Sequence, residues 1–239
     1  MLRANWVIIL VILLFGCQSK DILPKTSSLE YYPIRVGAYW EYEVVETTIS
    51  QVEGQISTIY ELRVNVSDSA IANNETTYIL QRWRRDPGTT PWTALDTWSI
   101  RLASFQMVQQ EGNVPYVKLQ FPMSEGKAWN GNALNNLGGS DSCEDGTVNC
   151  DLYVVNSLAK PFELPGGLSY DNSVTILENN EDDPIVMKDV RLSVYAITIG
   201  LVYREVSHLE YCTIGDCIGQ KIVENGFLQK QTLTANGGL

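Results

Sequence analysis

The side chains best suited to chemistry in this chain of 239 residues cluster at Arg82-Trp83-Arg84-Arg85, with Trp92 and Trp98 close behind. Guanidinium groups grip carboxylates and phosphates in a bidentate fork, and indole faces stack on sugars and apolar ligands. Trp83, Trp92, Trp98, Arg82 and Arg84 therefore make a candidate surface for an apolar or glycan ligand, in a chain whose net charge is −11. Strand alternation supplies a competing reading. Trp83 faces the opposite way from Arg82 and Arg84, so the indole fills the core while the arginines pair outside it with Asp86 and Asp96.

Other constellations fall short of a reaction. His208 is the only histidine, and it alternates with Arg204, Val206 and Glu210 along an expected strand, which makes it a surface residue beside Glu210. Serine-nucleophile elbows, His-Glu-x-x-His and phosphate loops are missing from the sequence. Paired carboxylates for glycoside cleavage are compatible with so acidic a chain, but spacing singles out no pair. Neither a catalytic residue nor a cofactor is assigned. Asp141, Glu144, Asp145 and Asp151, and the run Glu178-Asn179-Asn180-Glu181-Asp182-Asp183, offer the hard oxygen ligands of calcium. Cys143 stands where the first loop needs an oxygen, and solvated hairpin tips account for both runs, so no metal is assigned.

Cys143, Cys150, Cys212 and Cys217 form an even set suited to an oxidising compartment. The nearest pairings, Cys143 with Cys150 and Cys212 with Cys217, each close a short turn containing a glycine. A four-thiolate zinc site is the alternative, but the spacings do not match a zinc ribbon.

The elements that must position these residues are strands. Ile56, Thr58, Tyr60, Leu62, Val64 and Val66 alternate on one face of a segment that forms a long hairpin with 39–49. Runs at 76–85, 92–102, 105–110, 114–121, 152–158, 173–177, 185–197, 201–211 and 221–233 continue the rhythm, giving roughly ten strands and no helix of three turns. The chain is expected to be all-β, an antiparallel meander curled into a half-barrel or barrel so that its apolar face is covered, with a β-sandwich as the alternative. Domain organisation follows as a signal peptide at 1–16, a lipidated N-terminus and flexible tether at 17–30, a single β domain at 31–234 and a flexible tail at 235–239.

The N-terminal boundary rests on Arg3 followed by the apolar run from Trp6 to Phe15, then Gly16 and Cys17. Such a run is too short to span a bilayer and has secretory proportions. Leu14-Phe15-Gly16-Cys17 resembles the bacterial lipobox. That resemblance implies cleavage before Cys17, acyl chains such as palmitate on its thiol and amine, and attachment to a membrane through them. Gln18 rather than an aspartate follows the cysteine, which by the same resemblance favours the outer membrane, facing periplasm or cell surface. Cleavage would remove the one charged residue Arg3 and leave the mature chain at −12, a balance that repels nucleic acid.

A second resemblance runs through the body of the chain. Tyr31-Tyr32-Pro33-Ile34-Arg35-Val36-Gly37-Ala38-Tyr39-Trp40-Glu41-Tyr42 is similar to the opening of a broad group of uncharacterised, Bacteroides-type cell-envelope lipoproteins. Pro122, Gly126 and Trp129 match a later landmark of that group, and Tyr195-Ala196 with Gly200-Leu201-Val202 match its closing strand pair. The resemblance implies an architecture and carries over no catalytic residue. The function expected from sequence is a lipid-anchored, non-enzymatic binding or structural module, with a glycan-binding accessory protein or a carboxylate-dependent envelope hydrolase as alternatives.

Overall fold

The computed structural model describes residues 28–73, 75–89, 91–135 and 151–239. Twelve strands run in chain order: β1 (Tyr39–Ser50), β2 (Gly54–Ala72), β3 (Glu75–Arg85), β4 (Thr93–Leu102), β5 (Gln106–Glu111), β6 (Val114–Gln120), β7 (Ala128–Asn130), β8 (Leu152–Glu163), β9 (Ser169–Asp183), β10 (Met187–Ala196), β11 (Gly200–Tyr211) and β12 (Val223–Gly237). All pair antiparallel in one sheet of order β6-β5-β4-β3-β2-β1-β12-β11-β10-β9-β8-β7. The meander is thus two runs of neighbours joined where β1 meets β12. The sheet curls until its two ends almost meet, giving a nearly closed barrel with one unsealed seam between β6 and β7. The Val117 amide donates to the Gly131 carbonyl at 2.8 Å, and the Trp129 indole N–H donates to the Val117 carbonyl at 2.7 Å.

The barrel was one of the two expected forms; the sandwich was not adopted. Of the twelve strands, sequence rhythm missed β7, whose three residues are too few to show alternation. It also cut β8 and β9 short. Bulges interrupt the β8–β9 pairing at three places, and each shifts the alternation that would mark a strand. The farther end of that hairpin folds over the outside of β10 and β11. Phe162 of β8 meets Tyr203 of β11 with ring centroids 5.6 Å apart. Strands three places apart in a sheet stand roughly 14 Å from each other, so this contact requires the fold-over.

One end of the barrel is a floor. The 3-10 turn Ser28–Tyr31 and the residues after it cross that end, where Tyr32 stacks on Trp40 with centroids 6.1 Å apart and meets Tyr195 edge-on at 6.0 Å. The Trp40 indole N–H donates to the Ile199 carbonyl at 2.6 Å, and the Tyr42 hydroxyl donates to the Leu201 carbonyl at 3.1 Å. A side chain at Gly200 would place its Cβ 3.3 Å from the Trp40 nitrogen, at a φ of +99°. Only glycine satisfies both constraints comfortably.

Two boundaries shift. Residues 28–30, read as tether, belong to the floor: the Thr198 amide donates to the Glu30 carbonyl at 2.8 Å and the Met123 amide to the Ser28 hydroxyl at 3.0 Å. Residues 235–237, read as flexible tail, are the last rungs of β12, paired with Glu41, Trp40 and Tyr39. The chain there reads Ala-Asn-Gly, which lacks the apolar alternation of a strand and is held by its register on β1 instead.

Candidate binding site

Eight strands leave a barrel interior just wide enough for side chains to fill, and twelve leave room to spare. The surplus is taken up by a buried polar layer above the floor and an open mouth above that. Lys118, on β6, lies in the middle of the layer. Its Nζ is 3.2 Å from Glu111 Oε1 and 3.3 Å from Glu178 Oε2. The Ser193 hydroxyl donates to Glu178 at 2.6 Å, and Arg204 reaches the same carboxylate at 4.0 Å. Lys118 and Glu178 are both buried. Burial works to raise the Glu178 pKa, but Lys118, Arg204 and the Ser193 hydroxyl outweigh it and hold the carboxyl down to about 2. Burial likewise works against the Lys118 ammonium, and Glu111 with Glu178 more than compensates, so its pKa ends above the ordinary lysine value. Because Lys118 is on β6 and Glu178 on β9, this pair also bridges the open seam.

Above that layer lies a cavity of about 440 Å³. Arg82, Arg84, Arg191 and Arg204 line it, against two carboxylates, Glu46 and Glu111. Tyr60, Trp98, Leu95, Val206 and Phe227 supply its apolar wall. Most of the polar groups are committed. Arg82 donates to both Asp96 oxygens at 2.9 and 3.1 Å and lies 3.6 Å from the centre of the Trp98 ring. Arg191 is clamped by Asp151 and by Asp189, the latter at 3.0 Å. Glu46 accepts from the Tyr60 hydroxyl and from Gln229, each at 2.8 Å.

Two arginines are less committed. Arg84 lies 4.0 Å over the Tyr60 ring and makes no ion pair among the described residues. Arg204 reaches Glu178 at 4.0 Å and also feels the charge of Glu111, while its Nε is buried without a hydrogen-bond partner. The Arg82 Nε is likewise buried and unpartnered. Buried guanidinium donors are ordinarily satisfied. A cavity of small-molecule size with an apolar wall and a few convergent charges is equipped to hold a small ligand.

The five residues expected to share one surface are divided among three places. Arg82, Arg84 and Trp98 point into the barrel. Alternation then puts Trp83 on the outer wall, opposite Arg63 of β2. The expected assignment of Trp83 to the core is therefore reversed. The tryptophan-in, arginine-out rule holds when the inner face is dry, and at the mouth of a wide barrel it is not. Trp92 stands apart again, with the Arg85 guanidinium 4.2 Å over its ring. Arg82 pairs with Asp96 as expected, whereas Asp86 makes a turn with Thr89 instead of meeting an arginine.

The acidic run 178–183 is also corrected. It is the end of β9, not a hairpin tip, and Glu178 occupies a bulge opposite the step from Arg191 to Leu192. Only Asp183 does turn chemistry, accepting from the Ile185 and Val186 amides at 2.8 and 3.1 Å. Among the described residues, no three His, Cys, Asp or Glu side chains come together to hold a metal. His208 is half-exposed, its nitrogens 3.8 Å from Asp189 and 4.0 Å from Glu210. Cys212 and Cys217 are joined in a disulfide with Cα atoms 5.8 Å apart. Cys17, Cys143 and Cys150, with Asp141, Glu144 and Asp145, lie outside the described residues.

Sequence reasoning missed Lys118, Glu111, Glu178 and Arg204. A signal was available: Lys118 interrupts the apolar stretch Val117 to Leu119, and Arg204 stands one residue after the buried pair Val202-Tyr203.

No protein-family model matches the chain, and no curated protein matches it. Among solved structures, it is similar to "a putative exported protein with YmcC-like fold" from Bacteroides fragilis, at 13% identity and a TM-score of 0.41, covering 86% of this chain and 97% of that one. It is also similar to "a putative lipoprotein" from Parabacteroides distasonis, at 10% identity and a TM-score of 0.36, covering 87% and 98%. The reading of the site rests on its own geometry.

Proposed function

We propose that this protein is a non-enzymatic binding module, anchored by acyl chains on Cys17 to the bacterial outer membrane, that holds a small molecule in the mouth of its barrel. The observation that carries the reading is the 440 Å³ mouth lined by four arginines and an apolar wall. Its walls are built of strands, which hold a site more rigidly than loops do. The lining lacks a serine, cysteine or histidine nucleophile, and the carboxylates within it are occupied in hydrogen bonds and ion pairs. This favours capture over turnover.

The anchor fits this orientation. Ten residues separate Cys17 from Ser28, and Ser28 is in the floor. Anchorage therefore arrives at the closed end of the barrel.

The test is extraction of the full chain from its native membranes, beside a Val206→Trp variant whose indole would project into the mouth and obstruct it. Mass spectrometry should find a small molecule released from the wild type and absent from the variant, while circular dichroism shows both proteins folded. The same molecule in equal amount from both, or none from either, would overturn the binding site. Release by carbonate washing without detergent would overturn the anchor.

A further inference from the structure

Between the floor and the polar layer lies a second, smaller chamber of about 50 Å³. Tyr32, Trp40 and Tyr42 line it from the floor, and Lys118, Glu178 and Ser193 line it from the polar layer. Arg82, Trp98, Arg204 and Gln231 line both this chamber and the mouth, so these four side chains stand where the two meet. Two further polar tips in the chamber have nothing to bond. Tyr195 and Gln231 are only 4% and 7% exposed, and among the described residues neither the Tyr195 hydroxyl nor the Gln231 amide makes a hydrogen bond. Neither belongs with the sealed, unpartnered atoms such as Arg82 Nε and Arg204 Nε. Both therefore border open space, and the space they line is the chamber. A phenolic hydroxyl and a carboxamide offer donors and acceptors without charge.

The charges around the mouth already answer one another. Six carboxylates, those of Glu46, Asp96, Glu111, Asp151, Glu178 and Asp189, stand among Lys118 and the four arginines. Toward the rim the inner face continues past Val206 and Phe227 with His208, Glu210 and Asn225, which are polar. Neither a net charge nor a long apolar tail is what this lining lacks. It lacks partners for its neutral groups.

We propose that the mouth takes a neutral hexose whose hydroxymethyl arm enters the chamber and bonds to the Tyr195 hydroxyl and the Gln231 amide. This rests on the reading of the mouth as the binding site. An alcohol both donates and accepts, so it satisfies either tip. One water needs about 10–15 Å³ of such space, so a chamber of about 50 Å³ seats an alcohol arm and leaves the sugar ring to the 440 Å³ mouth. There the ring's other hydroxyls meet the paired arginines and carboxylates. Phe227, over which no cation lies among the described residues, takes its C–H face. Selectivity follows from burial, because an analogue lacking the hydroxyl leaves the two tips unbonded.

The experiment presents the full chain, in a detergent without a sugar headgroup, to an array of neutral hexose and N-acetylhexosamine oligosaccharides with uronic-acid and sialylated oligosaccharides beside them. Neutral members should be retained, and the acidic ones no better. The strongest neutral binder is then titrated by calorimetry. Tyr195→Phe, which keeps the ring that meets Tyr32, and Gln231→Met should each weaken it about tenfold, the loss of one good hydrogen bond. Circular dichroism should show both variants folded. The 6-deoxy form of the same sugar should bind wild type about tenfold more weakly and should lose little more in Tyr195→Phe. Val206→Trp should abolish binding. No neutral oligosaccharide retained would overturn the sugar and leave the chamber to water only, and a small molecule released from wild type but not from Val206→Trp would then still keep the mouth as a site. Stronger retention of acidic oligosaccharides would overturn the neutral ligand. Equal affinity in wild type, Tyr195→Phe and Gln231→Met, or for the 6-deoxy form, would overturn the chamber's part and leave a site in the mouth alone. Equal binding by wild type and Val206→Trp would overturn the mouth itself.

Discussion

The floor and the mouth of this barrel are lined by the same strands yet solve opposite problems. At the floor, Tyr32, Trp40, Tyr42 and Tyr195 bury their rings together, and the polar tips of Trp40 and Tyr42 reach backbone carbonyls. At the mouth, arginines face a cavity, and two of them carry donors with no partner. One end spends its aromatic residues on closure and the other lines a cavity with charged side chains, most of them paired. The residues that resemble a lipoprotein group, from Tyr31 through Trp40 and Tyr42 to Trp129, Tyr195 and Gly200, all belong to the floor and the seam. The arginines of the mouth are not among them.

The sharpest break of that contrast is Trp40→Ala. The ring is almost fully buried, stacks on Tyr32 and caps the Ile199 carbonyl. Truncation should cost about 3–5 kcal/mol, the range for a large aromatic lost from a packed core. Urea unfolding should show the midpoint falling by the corresponding amount with an unchanged slope. A loss below about 1 kcal/mol would mean that the floor is not what holds the barrel shut.

The polar layer between the two ends predicts a pH signature. Lys118→Met leaves Glu178 buried without its nearest cation, which at neutral pH should destabilise by about 3–5 kcal/mol. The sign follows from the carboxyl. In the wild type Glu178 is held down to about 2, so its contribution is complete above the ordinary carboxylate pKa and is lost as pH falls from there toward 2. In the variant, burial opposed by fewer cations lets the Glu178 pKa climb, and protonation then relieves the cost. The stability gap between the two proteins should be wide at pH 7 and narrow at pH 3. A gap independent of pH would show that Lys118 contributes packing and not charge.

Much of this was legible from residue order and some was not, for a physical reason. The hairpin β1–β2 and the β3 to β6 meander could be read because one inner face is apolar near the floor, where Trp40, Tyr42, Leu62 and Leu80 alternate with exposed or half-exposed residues. The same rule misassigned Trp83, because the inner face changes from apolar to charged partway along β3, between Leu80 and Arg82. Alternation gives which residues share a face and not which face is inside. Glu178 was misread for a related reason: its acidic neighbours suggested a solvated turn, while its ion pair with Lys118 is 60 positions distant in the chain.

Trp83→Ala draws the smallest effect and tests that inversion directly. With Arg82 and Arg84 inside, Trp83 is half-buried on the outer wall, and its indole N–H has no partner to lose. Its removal should cost about 1 kcal/mol, the centre of the range for ordinary substitutions, against the several expected for Trp40. Affinity for a mouth ligand should be unchanged, since the side chain is on the far side of β3. Loss of folding comparable to Trp40→Ala would return Trp83 to the core and turn the arginines outward, and the mouth would then lose two of its four cations.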